Sequence, residues 1–98
     1  MTTSTARVAT EHASRYLQQL CKHWSHRSAV EFDPNTGRIE FDDGQRVVLS
    51  ATEAELVLQV SDDAGGGLER LLDVVAEHLQ RFAFREDLVF AWERSSGA

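Results

Sequence analysis

The sequence feature that most constrains the fold is a change in the spacing of apolar residues at Val30. Before this point, in residues 10–27, apolar side chains recur three and four positions apart, as on a helix that buries one face. In residues 30–60 apolar and polar side chains alternate, which is the pattern of half-buried β-strands. The helical spacing returns in residues 68–82. The chain therefore contains a group of strands between two amphipathic helices.

The first helix is predicted over residues 11–26. Thr10 precedes it, and a threonine oxygen can accept a hydrogen bond from a free N–H group of the first helical turn. Three of the four histidines of the chain lie on this helix, namely His12, His23 and His26. The buried face of the helix is predicted to consist of Ala13, Tyr16, Leu17, Leu20, Cys21 and Trp24.

Short turns connect the strands that follow. Pro34 fixes φ in a turn over residues 33–37, and Asp43-Gly44 is a tight hairpin signal. Strands are predicted around Val30, around Ile39, over residues 45–50 and over residues 55–60. Strands joined in this way form an antiparallel meander. The inward-facing side chains of the last two strands are predicted to be Val47, Leu49, Leu56, Leu58 and Val60.

Both ends of the chain complete the predicted fold. Residues 4–9, within an arm over about residues 1–9, are predicted to be an edge strand or an extended arm. Residues 86–92 are predicted to be a last strand with Leu88, Phe90 and Trp92 on one face, followed by a frayed tail over residues 94–98. The element order is then (β)αββββαβ in a single domain over residues 1–98. Because the apolar faces must be buried against each other, the predicted fold class is α+β, with two helices on one face of an antiparallel sheet.

The charge balance limits the partners that the chain can have. The chain has 10 basic and 16 acidic residues and a net charge of −6, so binding to nucleic acid or to an anionic membrane is disfavoured. The single cysteine, Cys21, cannot form an internal disulfide, which fits a reducing compartment. The first residues carry no apolar stretch of the kind found in secretion signals. We therefore expect a cytoplasmic protein.

Two segments of the chain resemble a bacterial family known as domain of unknown function 2218. The first is Ala6-Arg7-Val8-Ala9-Thr10 with the motifs Ser14-Arg15-Tyr16-Leu17 and His23-Trp24-Ser25-His26, and the second is residues 78–86 with Trp92. The resemblance implies a small bacterial cytoplasmic protein. It also implies a link to siderophore and iron metabolism, because relatives are expected to be encoded beside, or fused to, siderophore-interacting flavin reductases. It assigns no catalytic residue.

One flank of the first helix is a candidate ligand site. His12, Gln19, His23 and His26 fall along it, and His23 and His26 are three positions apart, so both could face one metal, phenolate or flavin ligand. The alternative is a solvated flank with one histidine stacked on a neighbouring aromatic ring. His23 lies closer to the buried face than His26, which favours a structural role for His23. Two histidines without a carboxylate or a third histidine at matched spacing are a weak metal signal, so no metal and no cofactor are predicted.

The motif Arg81-Phe82-Ala83-Phe84-Arg85-Glu86 is a second candidate site. Its functional interpretation is a cleft in which Arg81 or Arg85 binds an anion. Its alternative is packing, in which Phe82 closes the helix face and Phe84 covers the sheet edge. Cys21, on the buried helix face, is predicted to be an inert small hydrophobe.

The outward face of the sheet is a candidate partner surface. Most of its predicted residues are polar, as on a solvated face. If the apolar exceptions cluster, they form a patch rimmed by charge that suits a partner protein, and otherwise they are scattered residues with good strand propensity. These exceptions are Val48, Val57, Val89 and Ala91.

Three functional hypotheses follow from the sequence. The first is a non-enzymatic binding or accessory protein in siderophore and iron metabolism, with a siderophore-interacting reductase or a small ligand as its partner. The second is a homodimeric interaction protein with no small ligand. The third is a small enzyme that uses His23 or His26 as acid or base. Since the sequence supplies no activated nucleophile beside them, no catalytic residue is assigned.

Overall fold

The computed structural model describes residues 2–41, 44–63 and 67–96. It has an α+β fold with the predicted element order, in which one antiparallel sheet carries two helices. Its elements are β1 (Thr2–Ala9), α1 (Ala13–Trp24), β2 (Ala29–Phe32), β3 (Thr36–Glu40), β4 (Gln45–Ala51), β5 (Glu55–Asp62), α2 (Leu68–Phe82) and β6 (Glu93–Ser96).

The six strands lie in the order β2-β3-β4-β5-β1-β6. Strands β2 to β5 form the predicted meander, since each pairs antiparallel with the next. Gly44, with a φ of 74°, lies in the turn before β4, where a left-handed conformation favours glycine. The other residue of that predicted hairpin turn, Asp43, lies outside the described residues.

The interpretation of the N-terminal segment as an edge strand or arm is wrong. Strand β1 begins at Thr2 and pairs with β5 over its whole length and with β6 along its first half, so it lies inside the sheet. Its inward positions are small or short side chains, Ser4, Ala6 and Val8, which are all buried. Their small size and the many threonines of the segment give a weak apolar alternation, although the strand lies between two others.

The last strand also differs from the prediction. Residues 87–92 have no regular secondary structure, and β6 begins only at Glu93. Residues 94–96, predicted to be a frayed tail, pair with β1, while residues 97–98 lie outside the described chain. The alternation that suggested a strand is nevertheless real, since three side chains of the irregular segment face the core. They are Leu88, which is buried, and Phe90 and Trp92, which are half-buried and stacked on each other.

The helices bury the faces that their spacing predicts. All six predicted apolar residues of α1 are buried, and α1 packs on β2, β3, β4 and β5. Helix α1 is shorter at both ends than predicted, and Thr10 accepts a hydrogen bond from the His12 N–H (3.1 Å) just before the helix begins. Helix α2 has the predicted bounds. The buried carboxylate of Asp62 accepts a hydrogen bond from the Gly67 N–H (3.0 Å) at the start of α2.

Candidate functional site

A cavity lies between the start of α1 and the segment that follows α2. We call it the Tyr16 cavity, and its volume is about 710 Å³. Ligand pockets in proteins commonly have volumes of ~300–1,000 Å³, so the cavity is large enough for a small molecule. It is lined by Thr10, Glu11, His12, Arg15, Tyr16, Gln19, Phe82, Phe84, Arg85 and Glu86.

One carboxylate joins the two sides of the Tyr16 cavity. Oε2 of Glu86 accepts hydrogen bonds from the Tyr16 hydroxyl and from Oγ1 of Thr10, the latter at 3.1 Å. Tyr16 is buried in the first turn of α1, whereas Glu86 belongs to the turn after α2. Because hydrogen bonds to a charged group are stronger than neutral ones, this contact fixes the turn against α1.

A side chain of α2 holds the backbone of the same turn. The Gln80 amide donates to the carbonyl oxygens of Ala83 (3.1 Å) and Glu86 (2.8 Å). Its oxygen accepts from the Leu88 N–H at 2.9 Å. Two of these bonds hold the turn and the third holds the start of the irregular segment, so a side chain and not a sheet sets the position of Glu86.

Tyr16 is a neutral hydrogen-bond donor in this cavity. Burial raises the pKa of its phenol, and the adjacent Glu86 carboxylate raises that pKa further, while Arg15 and Thr10 act in the opposite direction. A raised pKa keeps the proton on the phenol at neutral pH. Tyr16 is therefore suited to hold and orient a neighbouring group rather than to attack it as a phenolate.

The rim of the Tyr16 cavity combines cations with an exposed aromatic ring. Arg15 and Arg85 are both exposed, and the Arg85 guanidinium carbon lies 5.5 Å from the centre of the Phe84 ring. Phe84 is 78% exposed, which is unusual for a large apolar side chain. His12 lies beside Tyr16, with 6.1 Å between the ring centres. This arrangement can bind an acidic group through a guanidinium and stack a flat group on Phe84.

The structure brings two of the five predicted ligand residues to the Tyr16 cavity. Gln19 and Arg85 line it, whereas His23, His26 and Arg81 do not. In the alternative packing interpretation of the motif, Phe82 is half-buried as expected, but Phe84 is exposed and does not cover the sheet edge. The sequence analysis missed Arg15, Tyr16 and Glu86 as functional candidates. The nearest signal was the motif over residues 81–86, which supplies four lining residues.

His23 lies in a separate cluster of rings between α1 and α2. Its ring centre is 4.9 Å from that of His78, 5.9 Å from that of Trp24 and 6.2 Å from that of Phe82. Desolvation lowers the pKa of His23, and positive charge on His78, Arg27, His26 and Arg81 lowers it further. His26, the predicted partner of His23, is exposed and has no ring contact among the described residues.

Cys21 behaves as a packing residue. It is fully buried on the inner face of α1, and burial raises the pKa of its thiol to about 11. Because the thiolate is the reactive form, the thiol is inert at neutral pH. Among the described residues, no group of three or more His, Cys, Asp or Glu side chains is placed to hold a metal ion.

The four residues of the predicted partner surface do not all lie on paired strands. Val48 and Val57 lie on the outer face of neighbouring strands, where Val57 is opposite Ser50 and Val48 is opposite Gln59. Val89 is 72% exposed, and both it and Ala91 lie in the irregular segment before β6. A patch formed by all four therefore stays a prediction. In the part of the chain that the structure describes, no helix is long and apolar enough to cross a membrane.

The fold and the cavity define a small α+β protein with an open, charged pocket at the junction of its two helices. Residues 5–93 match the family described as "Uncharacterized protein conserved in bacteria (DUF2218)", so the chain belongs to this family, as the resemblance implied. The solved structure described as "NMR structure of PA4090 from Pseudomonas aeruginosa" is 40% identical, with a TM-score of 0.79. That similarity covers 95% of this chain and 96% of the other. No curated protein matches the chain. Neither description names a ligand or an activity.

Proposed function

We propose that the protein is a non-enzymatic binding protein whose Tyr16 cavity takes a small, flat, negatively charged ligand. The observation that carries this proposal is the placement of Arg15, Arg85 and the exposed Phe84 on one open cavity. A guanidinium matches a carboxylate or phenolate with paired N–H donors, and an exposed phenyl ring offers a stacking surface. The turn after α2, which the contacts of Glu86 and Gln80 hold in place, supports the proposal as well. A preformed site loses less conformational entropy when a ligand binds.

The chemistry of the cavity supports binding more than catalysis. Tyr16 has a raised pKa and donates to Glu86, so it is not an activated nucleophile. Cys21, the other group that could attack a substrate, is buried away from the cavity lining. His12 lies at the rim, where it can add a donor to the ligand contacts.

Siderophore and iron metabolism is the setting that we propose for this binding. The family resemblance suggests it, and a ferric complex with aromatic, acidic arms has the charge and the flat groups that Arg15, Arg85 and Phe84 would accept. A siderophore-interacting flavin reductase is the partner that the same resemblance implies. Ferric catecholate complexes and flavins are therefore the first ligands to test.

A thermal-shift screen tests the proposal. A ligand that binds only the folded protein stabilises it by RT ln(1 + c/Kd), where c is the free ligand concentration, so its melting temperature rises with the logarithm of that concentration once it exceeds Kd. We expect a ferric catecholate or a flavin to stabilise the wild type, and Arg15→Ala/Arg85→Ala to raise the Kd at least tenfold. Arg70→Ala is the matched control, since Arg70 is an exposed arginine of α2 outside the cavity lining. The proposal fails if no anionic ligand binds, or if the double variant binds as tightly as the control.

The second candidate is a homodimeric interaction protein with no small ligand. It is favoured by two large apolar side chains exposed in the segment after α2, Phe84 and Val89. Sedimentation measures the oligomeric state directly. A dimer that dissociates in Phe84→Ser or Val89→Ser, but not in Val48→Ser, would assign the interface to this segment and not to the outer face of the sheet.

A further inference from the structure

The two imidazole rings of His23 and His78 come from different helices and lie away from the Tyr16 cavity. Their centres are 4.9 Å apart, with 50° between the ring planes. A ring centre lies roughly 1.1 Å behind its coordinating nitrogen, so two imidazoles at about 2.0–2.1 Å from one ion place their centres roughly 4.5–6.5 Å apart. The observed separation falls within this range. The separation of the ring centres is therefore compatible with one shared metal ion.

The hydrogen bond of His78 prepares its second nitrogen for coordination. Nδ1 of His78 lies 2.7 Å from the carbonyl oxygen of Val74. A carbonyl oxygen only accepts hydrogen bonds, so the neutral ring carries its proton on Nδ1 and has a free lone pair on Nε2. Metal-ligating histidines commonly donate their other ring N–H to a carbonyl or carboxylate, which fixes the ring and its tautomer. His78 has this arrangement.

We propose that His23 and His78 form a binding site for a divalent late transition-metal ion, such as Cu²⁺, at the seam between α1 and α2. The proposal is independent of the ligand of the Tyr16 cavity. Imidazole nitrogens suit copper, nickel and zinc, whereas magnesium and calcium require oxygen ligands. Since no third His, Cys, Asp or Glu of the described residues joins the pair, water completes the coordination.

The charges around the pair determine how such a site behaves. Besides His78, the other proposed ligand, the groups that act on His23 are Arg81 from α2 and Arg27 and His26 from the segment just after α1. These positive charges weaken the attraction for a dication, so binding is weaker than at a site with three or four protein ligands. Desolvation and these neighbouring groups lower the pKa of His23, which reduces the competition between protons and the metal at that ring.

Trp24 provides a reporter for this site. Its ring centre lies 5.9 Å from that of His23 and 5.0 Å from that of His78, so Cu²⁺ bound by these rings would lie close enough to quench the Trp24 fluorescence. The experiment titrates CuCl₂ into the untagged, chelator-free protein in a Trp92→Phe background, in which Trp24 is the remaining tryptophan. We expect saturable quenching at one equivalent of Cu²⁺. His23→Ala and His78→Ala should each raise the Kd at least tenfold.

Two matched controls lie on or beside the same helix. His12→Ala and His26→Ala each remove an exposed histidine, and both should leave the Kd within twofold of the wild type. If His78→Ala unfolds, as seen by circular dichroism, His23→Ala still decides the question, because His23 is exposed. Absence of saturable quenching, or an unchanged Kd in His23→Ala, overturns the proposal. An equal loss in His26→Ala also overturns it, because the ion would then belong to the end of α1 and not to the seam.

Discussion

The Tyr16 hydroxyl donates a hydrogen bond to the Glu86 carboxylate across 70 positions of sequence. This contact joins the first turns of α1 to the turn that follows α2. Thr10 donates to the same carboxylate oxygen, so the start of α1 reaches Glu86 twice. The Tyr16 cavity lies directly over this contact, which makes the shape of the cavity dependent on the docking of the C-terminal segment.

We predict that Tyr16→Phe and Glu86→Gln are energetically coupled. Tyr16→Phe removes a hydrogen bond to a charged group, which typically costs ~1.5–3 kcal/mol of the free energy of unfolding, and Glu86→Gln weakens the same bond because its acceptor becomes neutral. The second change should then cost less in the background of the first, because the charged bond between the two residues is already absent. Urea denaturation of the wild type, the two single variants and the double variant measures the coupling. Effects that add to within about 0.5 kcal/mol would mean that the two residues stabilise the fold separately.

We predict that Gln80→Ala is more destabilising than its half-buried position suggests. The change removes three hydrogen bonds to the turn backbone and leaves the Leu88 N–H and two carbonyl groups without this partner. At ~0.5–1.5 kcal/mol for each bond, the expected loss is about 2–4 kcal/mol. Gln18→Ala is the matched control, since Gln18 makes one hydrogen bond to Ser14 within α1. Equal losses in the two variants would show that Gln80 does not hold the turn.

The predicted and the observed secondary structure differ at the C-terminal end for one reason. The alternation of Leu88, Phe90 and Trp92 reports which side chains face inward, and it does so correctly. It does not report what satisfies the backbone, since the Leu88 N–H bonds to the side chain of Gln80 on α2 and not to a neighbouring strand. Helix α2 was predicted with its observed bounds because its apolar spacing runs without interruption from Leu68 to Phe82.

The sequence could predict only the part of the candidate site that depends on neighbouring residues within one helix or strand. Spacing along α1 paired His23 with His26, but the ring that lies beside His23 is His78, on another helix. That contact depends on how α2 packs against α1, and the spacing of residues along one helix does not predict this packing. Tyr16 was assigned to the buried face, correctly, but its hydroxyl reaches Glu86 at the edge of the core. A tyrosine can belong to the core and to a site because one end of its side chain is polar.

We predict that Gly37→Ala destabilises the protein through a close approach to α1. A Cβ at this position would lie 2.7 Å from Sγ of Cys21 and 3.2 Å from Cδ2 of Leu17, so both side chains would have to move. Overpacking of a core typically costs ~1–3 kcal/mol. Cys21→Ala removes the closest atom, so the double variant should be more stable than the sum of the two single effects implies. Additive effects would show that Cys21 is not the residue that Gly37 accommodates.

Our last prediction concerns the stability of the protein in alkali. The pKa of Cys21 rises from 9.0 to about 11 on folding because the thiol is buried. Between these values the unfolded chain loses its thiol proton while the folded chain keeps it. The thiol therefore favours folding fully below pH 9, and this contribution is lost as the pH rises towards 11. The two pKa values differ by about two units, so the loss from this group is roughly 2–3 kcal/mol.

Chemical denaturation at several pH values between 8 and 10.5 measures this loss, with Cys21→Ala as the comparison. The variant is less stable at pH 8 because it lacks the buried sulfur, but its stability should fall less steeply above pH 9. The phenol of Tyr16, whose pKa is also raised, titrates in both proteins and cancels in the difference between their slopes. Parallel curves for the wild type and Cys21→Ala would mean that the thiol keeps contact with water in the folded protein. In that case Cys21 would also react with thiol reagents in the native state, which we expect it not to do at pH 8.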